Sequence, residues 1–350
     1  MKYSQKLRFG VIGAGGIADR RTMPGIINSR HAALSAVMNP KLGDARRLKD
    51  KYGALRAYDD AFALAQDKTV DAVYIASPVK EHLAQALIVA DCGKPLLIEK
   101  PLALTSGDGQ KIVDAFAGKQ LPLAAGLMMR FGAHTRRMKE RLKAGDIGPL
   151  VSAYARFSCW YPDIPGAWRQ RPETGGGGAL MDMGVHVIDL IAWMTGSPVK
   201  QVAAMTDTQT FSYPVEDAAC VLMRLENGAL CALQSHFNIP DEGADWRLDL
   251  FGTRGSLLGP GILGQVDGGR LEMLSLKETG GYDSRQDGER QAFTQLPADF
   301  GDLYAREIDS FCKSILKGLS LEAPAQAALD AQRVVEAAYQ SQNSGVFVAV

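Results

Sequence analysis

The chain has no excess of charge of either sign: its 350 residues carry 39 basic and 39 acidic side chains. No basic block or stripe stands out, so the electrostatic footprint of a nucleic-acid binder is missing. No segment approaches the roughly 18 continuous apolar residues of a membrane span. The amino-terminal Met1-Lys2-Tyr3-Ser4-Gln5-Lys6 has no secretory apolar core, and Arg20-Arg21 is followed by no export-signal core. Cysteines are few: Cys92, Cys159, Cys220, Cys231 and Cys312 are odd in number and lack paired spacing, which argues against a disulfide framework or a zinc site. The five histidines are scattered, so a protein-held metal is not expected. Buried reduced thiols in a cytoplasmic protein are the expectation.

What is present is a change of pattern along the chain, with no internal repeat. Its length exceeds one ordinary core and predicts two domains. Residues 1–126 alternate strand and helix: strands at Leu7–Ile12, Ala33–Met38, Ala72–Ala76, Pro95–Ile98 and Leu121–Ala125, with helices between them. Such alternation predicts a doubly wound parallel sheet of the Rossmann type, an α/β fold. Residues 127–350 are dominated by strands, interrupted by a helix at Asp182–Thr195 and closed by helices at Asp302–Lys317 and Pro324–Gln342. That grouping predicts an α+β domain with a large, mostly antiparallel open sheet. Within it, Ala218–Met223 is apolar on both alternate faces, so either the monomer buries both or a second subunit covers one.

Gly13, Gly15 and Ala18 fit G-x-G-x-x-G/A directly after the first strand, with Gly16 and Ile17 between. Glycines there allow a tight turn and close approach of a pyrophosphate to a helix amino terminus. The second strand ends in Asn39, where NAD users commonly carry an acid for the ribose 2′-hydroxyl. Asn39 can bond a hydroxyl but does not repel a phosphate. Arg20, Arg21, Lys41 and Arg46 are near in sequence, so the choice between NAD and NADP leans slightly to NADP. The alternative is that these cations form a solvated helix face. Ser77, Pro78 and His82 follow the Ala72–Ala76 strand at the ligand edge of the sheet, where Ser77 and Pro78 could border the nicotinamide and His82 reads first as a helix-start residue.

Glu99-Lys100-Pro101 ends the Pro95–Ile98 strand, again at that edge. A buried lysine there can hydrogen-bond a reacting oxygen during hydride transfer, and Glu99 can hold the lysine or reach a ribose. Four glycines, Gly175 to Gly178, precede Asp182 and His186, whose spacing puts them on one helix face. A carboxylate can there orient an imidazole, and the glycines would let a ligand approach the backbone. Tyr161 and Tyr282 are candidate sugar contacts.

Taken together, Gly13–Ala18, Ser77-Pro78 with His82, Glu99-Lys100-Pro101, Trp168-Arg169 and Gly175–His186 resemble the glucose-fructose oxidoreductase / inositol dehydrogenase / MocA family over essentially the whole chain. The resemblance implies an NAD(P)-dependent oxidoreductase acting on a sugar, cyclitol or related polyol. It implies Lys100 and His186 at the reacting hydroxyl, Asp182 at substrate or tuning His186, and Trp168 and Arg169 near the nicotinamide. It also implies a homodimer or homotetramer through the carboxy-terminal sheet. Asn39 and Pro40 depart from the residues usual in NAD- and NADP-linked members respectively. A redox-neutral glycoside hydrolase with retained nicotinamide would use the same residues, whereas Lys100, Asp182 and His186 together argue against a third reading, a catalytically silent dinucleotide sensor.

Overall fold

The computed structural model describes residues 6–278, 281, 282, 284 and 291–350. Six strands, β1 (Leu7–Ile12), β2 (Ala32–Met38), β3 (Arg56–Tyr58), β4 (Ala72–Ile75), β5 (Leu96–Ile98) and β6 (Leu123–Ala125), form one sheet in the order β3-β2-β1-β4-β5-β6. Every pairing in it is parallel. Helices α1 (Met23–Asn28), α2 (Leu42–Tyr52), α3 (Ala61–Gln66), α4 (His82–Asp91) and α5 (Ser106–Gly118) connect the strands. Strands β4 and β5 are buried at every position, as continuous apolar runs covered on two faces must be. The charged α2 stops at Gly53 in the left-handed region (φ 69°), and Thr105 caps α5 by accepting from the Asp108 N–H. β3 and α3 have no counterpart in the sequence reading, because a three-residue edge strand carries too little pattern to register. Chain direction across the sheet reverses between β1 and β4, which opens a crevice where their two loops leave it.

The second sheet is built from β7 (Leu150–Ser158), β8 (Val199–Asp207), β9 (Ala218–Leu225), β10 (Leu230–His236), β11 (Arg247–Gly252), β12 (Gly255–Gly259), β13 (Leu271–Ser275), β14 (Thr294–Leu296) and β15 (Val348–Ala349). Its order is β14-β13-β12-β11-β7-β10-β9-β8-β15, antiparallel except for the β7–β10 pair. One face packs against α6 (Ala133–Ala144), α8 (Val185–Thr195) and part of α10 (Ala325–Ser344). The run Pro172–Thr195, including the short α7 (Pro172–Gly175), has membrane-like length and hydropathy, but 78% of its apolar window is buried inside the protein. It is the central core helix; its buried Asp189 is paired with Arg130, and Asp182 and His186 meet the cleft.

The other face of this sheet is open within the monomer. From Ala219 onward β9 alternates, with Val221, Met223 and Leu225 buried and Cys220, Leu222 and Arg224 exposed. Leu222 is 56% and Met205 77% exposed. Of the two expectations for β9, burial of both faces by the monomer is therefore overturned.

The 127–350 boundary also needs correction. Ile308, Phe311 and Cys312 of α9 (Leu303–Lys317) belong to the core of the first sheet, as do Ala325, Ala328 and Leu329 of α10. The Ala125 N–H donates to the Ala323 carbonyl at 3.0 Å. The chain thus returns to the first domain, because the faces of β4 and β6 need apolar cover that residues 1–126 do not supply.

Candidate active site

A cleft of about 1070 Å³ runs between the two domains, lined by the Gly13 turn at one end and His186 at the other. On the first wall, Gly13 sits at φ 79°, and a Cβ there would strike the Ser77 backbone where the β1 and β4 loops meet. Gly16, at φ 45°, has nothing within 4 Å of the Cβ position, leaving an open cradle at the start of a helix. That cradle fits a pyrophosphate at the free N–H groups of a helix start. The helix begins with a π-helical turn, Ala18–Thr22, before α1.

The polar side chains of this wall are largely committed to the protein itself. Asn39 donates from Nδ2 to the Ala14 carbonyl (2.7 Å) and accepts from the Lys41 N–H (2.9 Å). Its carboxamide therefore staples the glycine turn to the end of β2, and Asn39 is not the freely placed ribose reader the sequence suggests. Ser77 donates its hydroxyl to Gln85 Oε1 at 2.5 Å. His82 lies between two backbone carbonyls, with Nε2 at 3.0 Å from Ser77 O and Nδ1 at 3.1 Å from Pro101 O. Burial pushes His82 down to about 4, so the ring is neutral; with a single N–H it donates to one of these carbonyls and only packs against the other. His82 touches the cleft, but its nitrogens are not offered to a ligand, which corrects its assignment as a cofactor contact. Pro78, Ile17, Arg20 and Arg21 line the cleft; Lys41 and Arg46 do not.

The second wall carries free chemistry. Lys100, at the end of β5, has a side chain 9% exposed and donates to Asp182 Oδ1 at 2.8 Å and to the Asp182 carbonyl. Arg169 Nε reaches the same Oδ1 at 3.2 Å, and its guanidinium stacks 4.2 Å from the Trp168 ring. Burial alone would raise the Asp182 carboxyl; Lys100 and Arg169 override it and hold the group well below the usual carboxylate range. His186 lines the cleft, buried, and makes no hydrogen bond to the protein among the described residues. Burial, with Lys100 adding to it, drives its ring well below the ordinary histidine value, so the resting imidazole is neutral and keeps one nitrogen lone pair. Among the described residues Glu99 accepts no hydrogen bond from a lysine side chain; it lines the cleft and accepts from the Tyr74 hydroxyl at 2.7 Å.

Asp182 does not orient His186 through a hydrogen bond. Residues Leu180–Gly184 form a second π-helical turn, and α8 proper begins only at Val185, so simple four-residue spacing is lost. Asp182 is held by cations from other elements instead. Nor do the four glycines open the backbone to a ligand. None of them lines the cleft. A Cβ at Gly178 would overlap Glu216, and one at Gly177 would overlap the Tyr339 hydroxyl. Glu216 accepts from the Gly178 and Leu180 N–H groups (2.9 and 3.0 Å) and from Tyr339 (2.8 Å), thereby anchoring the turn that presents Asp182. Glu216 lies outside every sequence motif, just before β9, and only its fold neighbours reveal it.

Tyr161 does line the cleft, its ring packed 5.0 Å from Phe237. Tyr282 does not: it is 94% exposed on the connection after β13, near the edge of the sheet far from β7 and β10. Cleft residues that sequence reasoning missed include Cys159, Asp241, Tyr304 and Trp246. Trp246 has φ 40° and donates its indole N–H to Ser158 O at 2.7 Å, an uncommon backbone state for a bulky residue. Within the described residues no group of three or more His, Cys, Asp or Glu could hold a metal.

A glycine cradle at a helix start, joined across one cleft to a lysine, a carboxylate and a free imidazole, defines a dinucleotide-dependent oxidoreductase. Comparison with known proteins agrees. Residues 7–127 match the GFO/IDH/MocA oxidoreductase family's NAD-binding Rossmann fold, and residues 135–258 match its carboxy-terminal domain. Inositol 2-dehydrogenase 2 of Saccharopolyspora erythraea is 30% identical, over 72% of each chain. D-xylose 1-dehydrogenase (NADP(+)) 2 of Haloferax volcanii is 26% identical, over 98% of this chain and 99% of its own. Among solved structures, aldose-aldose oxidoreductase of Caulobacter crescentus complexed with glycerol superposes with a TM-score of 0.88 at 22% identity, covering 99% of this chain and all of its own. The chain belongs to the GFO/IDH/MocA family and is an NAD(P)-dependent oxidoreductase.

Proposed function

We propose that this enzyme moves a hydride between a nicotinamide and a hydroxyl-bearing carbon of a sugar, cyclitol or related polyol. The observation that carries this is the convergence of Lys100, Asp182 and a hydrogen-bond-free His186 in the cleft that begins at the Gly13 turn. The relatives named for inositol and xylose oxidation point to the same substrate class.

In the oxidative direction, His186 takes the hydroxyl proton at a ring nitrogen as hydride leaves the carbon. Lys100 donates a hydrogen bond to the same oxygen and lowers the cost of its developing negative charge. Asp182 fixes the ammonium of Lys100, and Arg169 shares the carboxylate so that it stays ionised. The bound nicotinamide supplies the hydride acceptor. Trp168, with Arg169 stacked on it, and Tyr161 shape the substrate end of the cleft. For the cofactor we favour NADP: Arg20 and Arg21 line the cleft without a carboxylate partner among the described residues, and no acid stands at position 39. The open β8–β9 face, with Leu222 and Met205, supports self-association of the carboxy-terminal sheet.

A screen of polyols and glycosides with NAD and NADP tests the reading directly. Net reduction of nicotinamide in step with polyol loss is expected. Turnover of a glycoside with no net cofactor reduction would instead mark a redox-neutral hydrolase, and binding without turnover would mark a sensor.

A further inference from the structure

Among the described residues no hydrogen bond to the protein aims the His186 ring, so its direction is inherited from α8. What holds α8 is therefore part of the site. Apart from the local bonds of Thr195 at its carboxy end, one α8 side chain is hydrogen-bonded elsewhere in the described chain: Asp189, three residues after His186. Arg130 meets this carboxylate with both prongs of its guanidinium, Nε to Oδ2 at 2.8 Å and Nη2 to Oδ1. Both side chains are buried, 6% and 3% exposed. The remaining guanidinium nitrogen donates to the Glu322 carbonyl at 2.7 Å. Trp193, one turn after Asp189 on α8, lies 5.7 Å from the same guanidinium.

Arg130 comes from the opposite wall. It sits on the buried turn Met128–Phe131, which follows β6, and Met128 of that turn lines the cleft. Gly126, just past β6, donates its N–H to the Ile98 carbonyl at 2.7 Å, and a Cβ on Gly126 would strike the Glu99 carboxylate. The turn is thus tied to the strand end that presents Lys100. Two links consequently join the α8 segment to the first domain. At the cleft Lys100 holds Asp182; behind it Arg130 holds Asp189, about two helical turns further on. One link fixes a point, whereas two fix the direction of the helix. Lys100 must share its ammonium with the reacting oxygen, so the Asp189 link is the one left unaltered during turnover.

We propose that Arg130 and Asp189 are positioning residues for hydride transfer: their two-pronged ion pair sets α8 against the β6 turn and so fixes His186 relative to Lys100. This rests on the dehydrogenase reading above, since it assigns what aims the base of that reaction. A buried ion pair adds little net stability, because desolvation offsets the attraction. What a guanidinium fork on a carboxylate does add is a fixed relative geometry. Burial pushes the Asp189 carboxyl up while Arg130 and Lys139 work against that shift, so removing the guanidinium alone would strand a buried acid.

The experiment removes both charges at once, in the full chain. Arg130→Met with Asp189→Leu replaces the pair by apolar groups of similar size, a change that buried pairs often tolerate without loss of stability. Arg130→Lys is made alongside, since it keeps the charge but loses the fork. Circular dichroism and the urea midpoint verify the fold. In the folded double variant kcat should fall about a hundredfold, as a misplacement near 1 Å would cost. KM and the affinity for reduced dinucleotide, followed by nicotinamide fluorescence, should stay within about threefold. The primary deuterium isotope effect on kcat, with the polyol deuterated at the reacting carbon, should rise because the chemical step then limits turnover. Arg130→Lys should show the same pattern with a loss of about tenfold. A folded double variant with wild-type kcat and isotope effect would make the pair merely structural and overturn the proposal. A loss confined to KM or to dinucleotide affinity would overturn it equally, because the pair would then shape the cleft and not aim the base. Should the double variant not fold, Arg130→Lys decides by the same readouts. A wild type inactive on every polyol would sink the dehydrogenase reading and this inference with it, whereas an active wild type matched by the variants would sink the positioning alone.

Discussion

The two walls of the cleft are built on opposite principles. The dinucleotide wall is made of backbone: Gly13 and Gly16 provide the turn, and Asn39, Ser77 and His82 spend their side chains bracing it. The chemical wall is made of side chains: Lys100, Arg169 and Asp182 lock one another by charge and leave His186 free. Both enter through a π-helical turn, Ala18–Thr22 on one wall and Leu180–Gly184 on the other. Such turns recur at functional sites because they re-aim side chains within a helix. Binding a pyrophosphate needs fixed N–H groups and no flexible side chain. Moving a proton needs a side chain whose nitrogen is not already bonded.

The comparison breaks most visibly at the chemical wall. Lys100→Ala or His186→Ala should lower turnover by about two to four orders of magnitude while leaving dinucleotide affinity nearly intact. Single-turnover kinetics with fluorescence titration of the cofactor checks both halves, and near-full activity in either variant removes the mechanism.

His82 offers the next test, since burial keeps its ring neutral. Its folded value of about 4 lies below an ordinary histidine. The unfolded chain therefore binds the proton first, and stability is lost as pH falls from about 6.5 towards 4. The loss is on the order of 3 kcal/mol. Urea unfolding at pH 7 and pH 4.5 should show it, and His82→Gln should flatten that slope; an equal slope in the variant would place the titration elsewhere.

Gly178→Ala would force a methyl group into Glu216. A cost of about 2 kcal/mol is expected, together with lost turnover, because Glu216 anchors the Asp182 turn. A variant as stable as wild type would show that the turn yields more easily than its packing suggests.

Asn39→Asp should weaken both NAD and NADP by about tenfold, because a carboxylate cannot donate to the Ala14 carbonyl. A pure gain in NAD preference with no general loss would show Asn39 to be a ribose reader after all. The smallest effect belongs to the open sheet face. Leu222→Lys should weaken self-association yet shift unfolding by less than about 0.5 kcal/mol. Analytical ultracentrifugation decides the point, and unchanged assembly would put any interface elsewhere.

Much of this was legible before any coordinates. Gly13–Ala18, Lys100 and His186 lie in one short stretch each, at strand ends or a helix start, where local sequence and local geometry coincide. The glycine run shows the opposite. Gly175–Gly178 looks like an opening for a ligand, but the pressure on those positions comes from Glu216 and Tyr339, roughly 40 and 160 residues away. Asn39 likewise sits where a ribose reader would, and only the fold reveals its bonds to the Ala14 carbonyl and the Lys41 N–H.

The sequence by itself determined the alternation of the first domain, the strand-rich second domain and the cofactor turn, because each follows from periodicities and backbone freedoms that act within a few residues. Tertiary structure alone decided that α9 and α10 return to the first core, and that Asp182 answers to Lys100 and Arg169 in place of His186. Those outcomes depend on which distant groups share a low-dielectric space, and no local pattern records that proximity.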